Sequence, residues 1–341
     1  MGYKKGIKVL VIVLVILAIV AGIVLYNMYG TYKGIQKNPG GVFVTSGEDK
    51  AVASDNINYD ENKGLTQVEF NGQKYTAKED IVNVLLMGVD AASDRQDVGR
   101  TDMLMLCTMD MKNNKIDFLS IPRDTKTKVY HVGSDGKVTK EQTAKINAAY
   151  AYGGGKDKYS AENAMRATQD FLEVDGNISV PIDYYMSIDL DGLPKIADAL
   201  GGVTVTLDQN MPEVGEKGEE VTLEGRKVRL YLQNRHDMDD GETTRQLHEQ
   251  TFIKAMARDI KEMGAKAAAP KLFESFTKFM RTNLNLDQVV AFASVLDAAG
   301  LDQINFDILK EGHPEMSDAW YYIASQDEVL KLMLSRLYNA V

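Results

Sequence analysis

Residues 9–25 read VLVIVLVILAIVAGIVL, seventeen consecutive positions without a charge. As a helix rising about 1.5 Å per residue, the run covers roughly 25 Å of hydrocarbon. Tyr26, Met28 and Tyr29 extend it, so 9–29 is predicted to be a transmembrane signal-anchor helix. Lys4, Lys5 and Lys8 precede it. The positive-inside preference therefore keeps residues 1–8 in the cytoplasm and sends the remainder out, against a weak opposing bias from Lys33 and Lys37. A cleaved signal peptide is the competing reading, but the run is long for an h-region and no small-x-small site precedes the Tyr-rich flank. The expected location is the cell membrane, single-pass type II, with the bulk of the chain extracellular.

The remaining chain must then fold without staples, because Cys107 is the single cysteine and cannot form an internal disulfide. It lies in an apolar, strand-like run, where a buried and inert thiol is expected. With 44% hydrophobic residues in 341, a sizeable core is within reach. The net charge of −10 becomes more negative once the anchor lysines are set aside. No nucleic acid is expected as a partner, since a duplex binder needs a basic footprint, and an anionic ligand would need a local basic site.

Composition and periodicity divide the chain beyond the anchor. Residues 30–66, rich in Gly, Asn, Asp and Ser, are predicted to be an extracellular stalk. Two short alternating runs around Asn71-Gly72 predict a hairpin lead-in over 67–79. From 80 to 341 a single domain is expected. Strand-like runs at 83–90, 102–109, 115–121, 184–190 and 202–207 alternate with helical segments such as 160–174 and DGLPKIADAL. That alternation argues an α/β fold with helices on both faces of a sheet. Gly201-Gly202 reads as a helix stop. The last third predicts helices near 244–263, 270–281, 286–299 and 325–339, with a late strand at 304–309. On the first of these helices Leu247, Phe252, Ile253, Met256, Ile260 and Met263 form an apolar stripe suited to core packing.

Two apolar runs meet carboxylates at their ends: LLMGVD stops at Asp90, and GRTDMLML starts just after Asp102. Strand-end carboxylates can ligate a hard cation such as Mg²⁺, and they are equally common as turn formers. SIPRDT places Arg123 after a strand and a proline, either as a phosphate fork or as a salt-bridge partner of Asp124. Lys145 and the 153–155 glycine run lack the P-loop pattern. RHDMDDGETTRQLHEQ, at 235–250, gathers two arginines, two histidines and five carboxylates. An EF-hand fails there on spacing, and no H-E-x-x-H exists for zinc. What remains is a loop over 236–242 feeding a helix capped by Thr243 or Thr244. Asp237, Asp239, Asp240 and Glu242 are either solvated or answered by Arg235 and Arg245.

NVLLMGVD, GRTDMLML, SIPRDT, KINAAYAYGG, DYYMSIDLDGLPKIADALGGVTV and LEGRKVRLYLQNRHDMDDGETTRQ occur in that order. In order and spacing they resemble the LytR-CpsA-Psr family, exported phosphotransferases of Gram-positive bacteria, over about residues 80–341. The resemblance implies an α-β-α sandwich with a mixed central sheet. It also implies transfer of a teichoic acid or capsular or secondary wall polysaccharide from a polyprenyl-pyrophosphate carrier to peptidoglycan through a phosphodiester. Asp90 and Asp102 match the family's Mg²⁺-associated carboxylates. Arg100 and Arg123 match arginines that hold the pyrophosphate, and Lys145 a lysine near the same group. Arg235 matches the second arginine of "R-x-R", Asp240 the candidate base, and Arg245 the arginine opening the next helix. Gln233 and His248 stand where arginines are usual, and Glu249 where a glutamine is usual. Losing two guanidinium forks leaves two other readings open: hydrolysis of the polyprenyl pyrophosphate, and a non-catalytic protein that binds the lipid carrier.

Overall fold

The computed structural model describes residues 66–90, 99–153, 157–233, 279–285 and 303–341, together with 248, 251–252, 255–256, 258–259, 287–288, 291–292 and 295. The expected anchor at 9–29 and stalk up to residue 65 lie outside these residues. The described chain falls into two compact units. The smaller draws on 189–280 and 285–300, the larger on 66–188, 281–284 and 301–341.

The larger unit begins with the expected hairpin: β1 (Gln67–Phe70) and β2 (Gln73–Ala77) pair antiparallel around Asn71 and Gly72. Both turn residues have positive φ, 52° and 78°, the combination a two-residue loop needs to match strand twist. The hairpin is more than a lead-in, because β2 also pairs with β15 (Tyr338–Ala340) in a three-stranded sheet.

A six-stranded mixed sheet dominates, in the order β11-β8-β3-β4-β5-β12. β3 (Ile81–Asp90), β4 (Arg100–Asp110) and β5 (Lys115–Ser120) form an antiparallel meander. β12 (Ile304–Ile308) joins β5 in parallel; β8 (Tyr184–Asp189) and β11 (Met280–Thr282) complete the other side. Met280–Thr282 falls where a helix over 270–281 is expected. Pairing at a sheet edge overrides local propensity there, and Thr282 and Asn283 bond the backbone of Tyr185.

Leu85, Met87, Leu104, Leu106 and Leu119 share one sheet face and a core cluster with Ala164, Met165, Met333 and Leu334. The last four belong to two helices, α2 (Asp157–Leu172) and α5 (Gln326–Leu337), which come after a short α1 (Ala148–Ala151). The opposite face, with Val84, Leu86, Met105, Cys107 and Phe118, is equally buried. Near-continuous apolar strands are the signature of a sheet excluded from water on both sides. Two of the buried polar side chains pair with each other: Thr108 Oγ1 donates to Asn83 Oδ1 at 2.8 Å, and Asn83 Nδ2 donates to the Pro181 carbonyl at 2.8 Å.

α2 ends before the predicted residue 174, because Val174, Asp175 and Gly176 all take positive φ. α5 is capped by Ser325, whose hydroxyl accepts the Glu328 amide, with Asp327 and Glu328 in its first turn. Two further hairpins lie outside the strand-like runs read from the sequence: β6 (Lys126–Val132) with β7 (Val138–Lys145), and β13 (Gly312–Met316) with β14 (Trp320–Ala324).

The smaller unit holds α3 (Leu193–Leu200), the β9–β10 pair (Val203–Thr206 and Glu220–Leu223) and α4 (Gly225–Gln233). Gly201 ends α3 in the left-handed region, and the Gly202 amide returns to the Ala197 carbonyl, as the sequence predicts. Phe252 and Met256 of the predicted apolar stripe are buried.

Candidate active site

The Cα partners of β3 and β4 run Gly88 with Met103, then Val89 with Thr101, leaving Asp102 without an opposite number. Asp102 is thus the extra residue of a β-bulge, a device that re-aims a side chain and interrupts pairing at a strand end. Beyond it Asp90 pairs with Arg100, so three of the expected site residues sit at one end of two adjacent strands.

Arg123 reaches the same place from β5. Pro122 stops the strand, and its carbonyl accepts both the amide and the hydroxyl of Thr125, closing a tight turn. The Arg123 Nη1 donates to Asp102 Oδ1 at 2.9 Å. With side-chain exposures of 19% and 13%, the pair is shielded enough to fix the guanidinium plane more firmly than a surface ion pair would. The alternative partner, Asp124, is 3.7 Å from Arg123 Nε and binds Lys145 Nζ instead, at 2.6 Å. The result is a run of alternating charge: Asp102, Arg123, Asp124, Lys145.

Backbone bonds hold the three motifs in register. The Asn147 amide donates to the Arg123 carbonyl, the Ile146 amide to Thr125, and the Thr101 amide to Asn147. Asn147 is 5% exposed, and among the described residues its Oδ1 has no hydrogen-bond partner. Sequence reasoning missed it; the available signal was a lone polar residue inside the apolar stretch INAAY. Lys126, the cross-strand partner of Lys145, is held above its usual lysine range chiefly by its hydrogen bond to Glu315, and this pair was also missed.

Asp90 and Asp102 supply two carboxylates at this sheet end. Among the described residues no group of three or more His, Cys, Asp or Glu forms a cage. Two carboxylates suit Mg²⁺, which keeps several waters and takes further ligands from substrate phosphates. The arrangement places two cationic side chains, Arg123 and Lys145, each held by a carboxylate, beside one end of the sheet.

Arg235, Asp240, Arg245 and Glu249 lie outside the described residues, as does the side chain of Gln233. His248 is described, and it is a core residue of the smaller unit. It is 1% exposed, stacked on Tyr231 with ring centroids 4.6 Å apart, and bonded through Nε2 to Asp208 Oδ1 at 2.9 Å.

A sequence profile described as the LytR_cpsA_psr family matches residues 41–336. A Bacillus cereus protein named polyisoprenyl-teichoic acid–peptidoglycan teichoic acid transferase TagU is 30% identical over 268 residues, covering 76% of this chain and 80% of its own length. The protein of the same name from Halalkalibacterium halodurans is 29% identical, with coverages of 74% and 77%. Among solved structures, that of a Streptococcus agalactiae protein superimposes with a TM-score of 0.57 at 26% identity, over 75% of this chain and 86% of the other.

Proposed function

The chain belongs to the LytR-CpsA-Psr family, and on that basis we propose that it transfers a glycopolymer from a polyprenyl-pyrophosphate carrier to peptidoglycan. The observation that supports this reading is the Asp102–Arg123–Asp124–Lys145 run at the bulged end of the sheet, where three separated motifs bring an arginine and a lysine together. The names of the relatives supply the substrate class, a polyisoprenyl-linked teichoic acid and a peptidoglycan acceptor.

In the proposed reaction a sugar hydroxyl of peptidoglycan attacks the phosphorus proximal to the glycan. A new P–O bond forms, the P–O bond to the distal phosphate breaks, and polyprenyl phosphate leaves. Arg123 and Lys145 offset negative charge on the phosphoryl oxygens, and Asp102 holds Arg123 in the plane that does so. Mg²⁺ held by Asp90 and Asp102 would supply further charge neutralisation on the pyrophosphate. Arg100, Arg235 and Arg245 as further pyrophosphate ligands, and Asp240 as the base that accepts the hydroxyl proton, are part of the same proposal and rest on the family resemblance. The α-β-α layering rests on the resemblance too, whereas the membrane anchor at 9–29 and the extracellular location are proposed from the uncharged run and the lysines before it, and would put the site on the side where wall polymer is built.

The test is transfer of a labelled lipid-linked polymer to peptidoglycan by the purified chain. Arg123→Ala is expected to lower turnover by about 10²-fold or more, the scale for removing one preorganised charged donor. Unchanged transfer in Arg123→Ala would sink the assignment, and phosphate release without an acceptor would identify a hydrolase instead.

A further inference from the structure

The hairpin of β13 and β14 ends in an unusual pair. Met316 and Trp320 are cross-strand partners flanking the turn Ser317–Ala319, and they are 73% and 44% exposed. The half-exposed indole beside a largely exposed methionine offers an apolar face with a polar N–H edge at the strand end. The hairpin is not an isolated arm. Its Tyr322 amide donates to the Asp124 carbonyl at 2.9 Å, and Tyr322 bridges Thr125, so β14 is hydrogen-bonded to the turn that carries Arg123. Trp320, two residues back along the same strand, is thereby fixed relative to the anion site, and Lys145 Nζ lies 5.9 Å from the centroid of its ring.

We infer that Trp320, supported by Met316, is a stacking platform for a pyranose ring that adjoins the phosphate held at Lys145 and Arg123. This deepens the proposed function and rests on it. A pyranose presents one face of C–H groups and a rim of hydroxyls, which an indole face bordered by charged side chains complements. Lys145 offers donors at that rim, and Asp318, whose carboxylate is held below its usual range by the Ser317 hydroxyl, offers acceptors. A lipid surface is the rival occupant for an exposed Trp and Met, but Asp318 and Glu315 border the pair. Lys126 is paired with Glu315 and Lys145 with Asp124, so neither lysine is free to draw an anionic headgroup layer, which Asp318 would repel.

Trp320 is the chain's single tryptophan, so fluorescence of the full-length protein excited on the red edge, beyond tyrosine absorption, reports on this position alone. We expect a saturable emission change with a soluble peptidoglycan disaccharide or with a sugar 1-phosphate. The first response assigns the platform to the acceptor, the second to the donor glycan. By calorimetry Trp320→Ala should weaken that ligand about tenfold, and Trp320→Tyr should restore most of the affinity. In transfer assays Trp320→Ala should raise KM with little change in kcat. Arg123→Ala should lower transfer by about 10²-fold or more while keeping the emission response to the disaccharide, or should weaken only the response to the sugar phosphate. Active wild-type protein whose emission ignores both sugars would overturn the inference and leave the proposed function standing. An emission shift produced by anionic vesicles and not by sugars would overturn it in favour of a membrane contact. If wild type neither transfers polymer nor responds, the function itself falls, and the platform with it.

Discussion

Arg336 on α5 is 3% exposed, and its Nη2 donates both to Asp307 on β12, at 2.8 Å, and to the Phe118 carbonyl on β5, at 3.1 Å. A charge so placed makes the pair asymmetric, because Asp307 keeps 47% of its side chain in water. Asp307→Ala strands a buried guanidinium. Breaking a fully buried pair costs about 3–5 kcal/mol, and screening at the exposed carboxylate reduces the expectation to about 2 kcal/mol. Arg336→Met removes the charge itself, keeps most of the apolar stem, and leaves Asp307 hydrated, for a cost of about 1 kcal/mol. Adding Asp307→Ala to Arg336→Met should then be nearly neutral, so the double-mutant cycle should close on a coupling of about 2 kcal/mol. Urea unfolding followed by circular dichroism gives the four stabilities, and a drop of roughly 4–8 °C in Tm should accompany Asp307→Ala. Additive losses, or a larger loss for Arg336→Met than for Asp307→Ala, would refute the reasoning.

Burial pushes the Cys107 thiol well above its ordinary value, with Asp117 adding to the effect. The native protein should therefore resist a thiol reagent at pH 9 and react only in denaturant. Because the unfolded thiol ionises near about pH 8.5 and the folded one does not, the contribution of this group to stability should fall as pH rises above that value. Cys107→Ala should remove that portion of the alkaline slope in a urea titration. At the site, transfer should cease in EDTA and return with Mg²⁺. Asp102→Ala should raise the Mg²⁺ concentration needed for half-maximal rate by about 10–100-fold, whereas equal Mg²⁺ dependence would exclude Asp102 as a ligand.

What the sequence revealed was local. β3, β4 and β5 announce themselves as long apolar runs, Asn71-Gly72 carries its own turn chemistry, and Gly201 its own helix stop. What it hid depends on partners distant along the chain. KTKVYHV and VTKEQTAK become β6 and β7 through pairing rather than hydrophobic period, and Met280–Thr282 becomes a strand because β8 offers an edge. The same division holds at the site. Asp90, Asp102, Arg123 and Lys145 were recognisable one by one, each with an ordinary alternative. The bulge that singles out Asp102, and the 21-residue separation that Arg123 closes to reach it, exist only in three dimensions. His248 shows the converse: a histidine where the resemblance leads one to expect an arginine reads as altered chemistry, yet its ring is packed against Tyr231.

The seam between β2 and β15 sets a clock. Ala77 waits for Tyr338, a partner about 260 residues further along. At a synthesis rate of about 5–20 residues per second, the β1–β2 hairpin stands with one edge unsatisfied for roughly 13–50 s. Throughout that interval the larger unit lacks both the strand that seals the hairpin and α5, which closes the core beneath it. Its folding can therefore be completed only once residues near 338–340 have emerged, and a chain stalled short of them presents an open strand to whatever holdase or protease stands nearby.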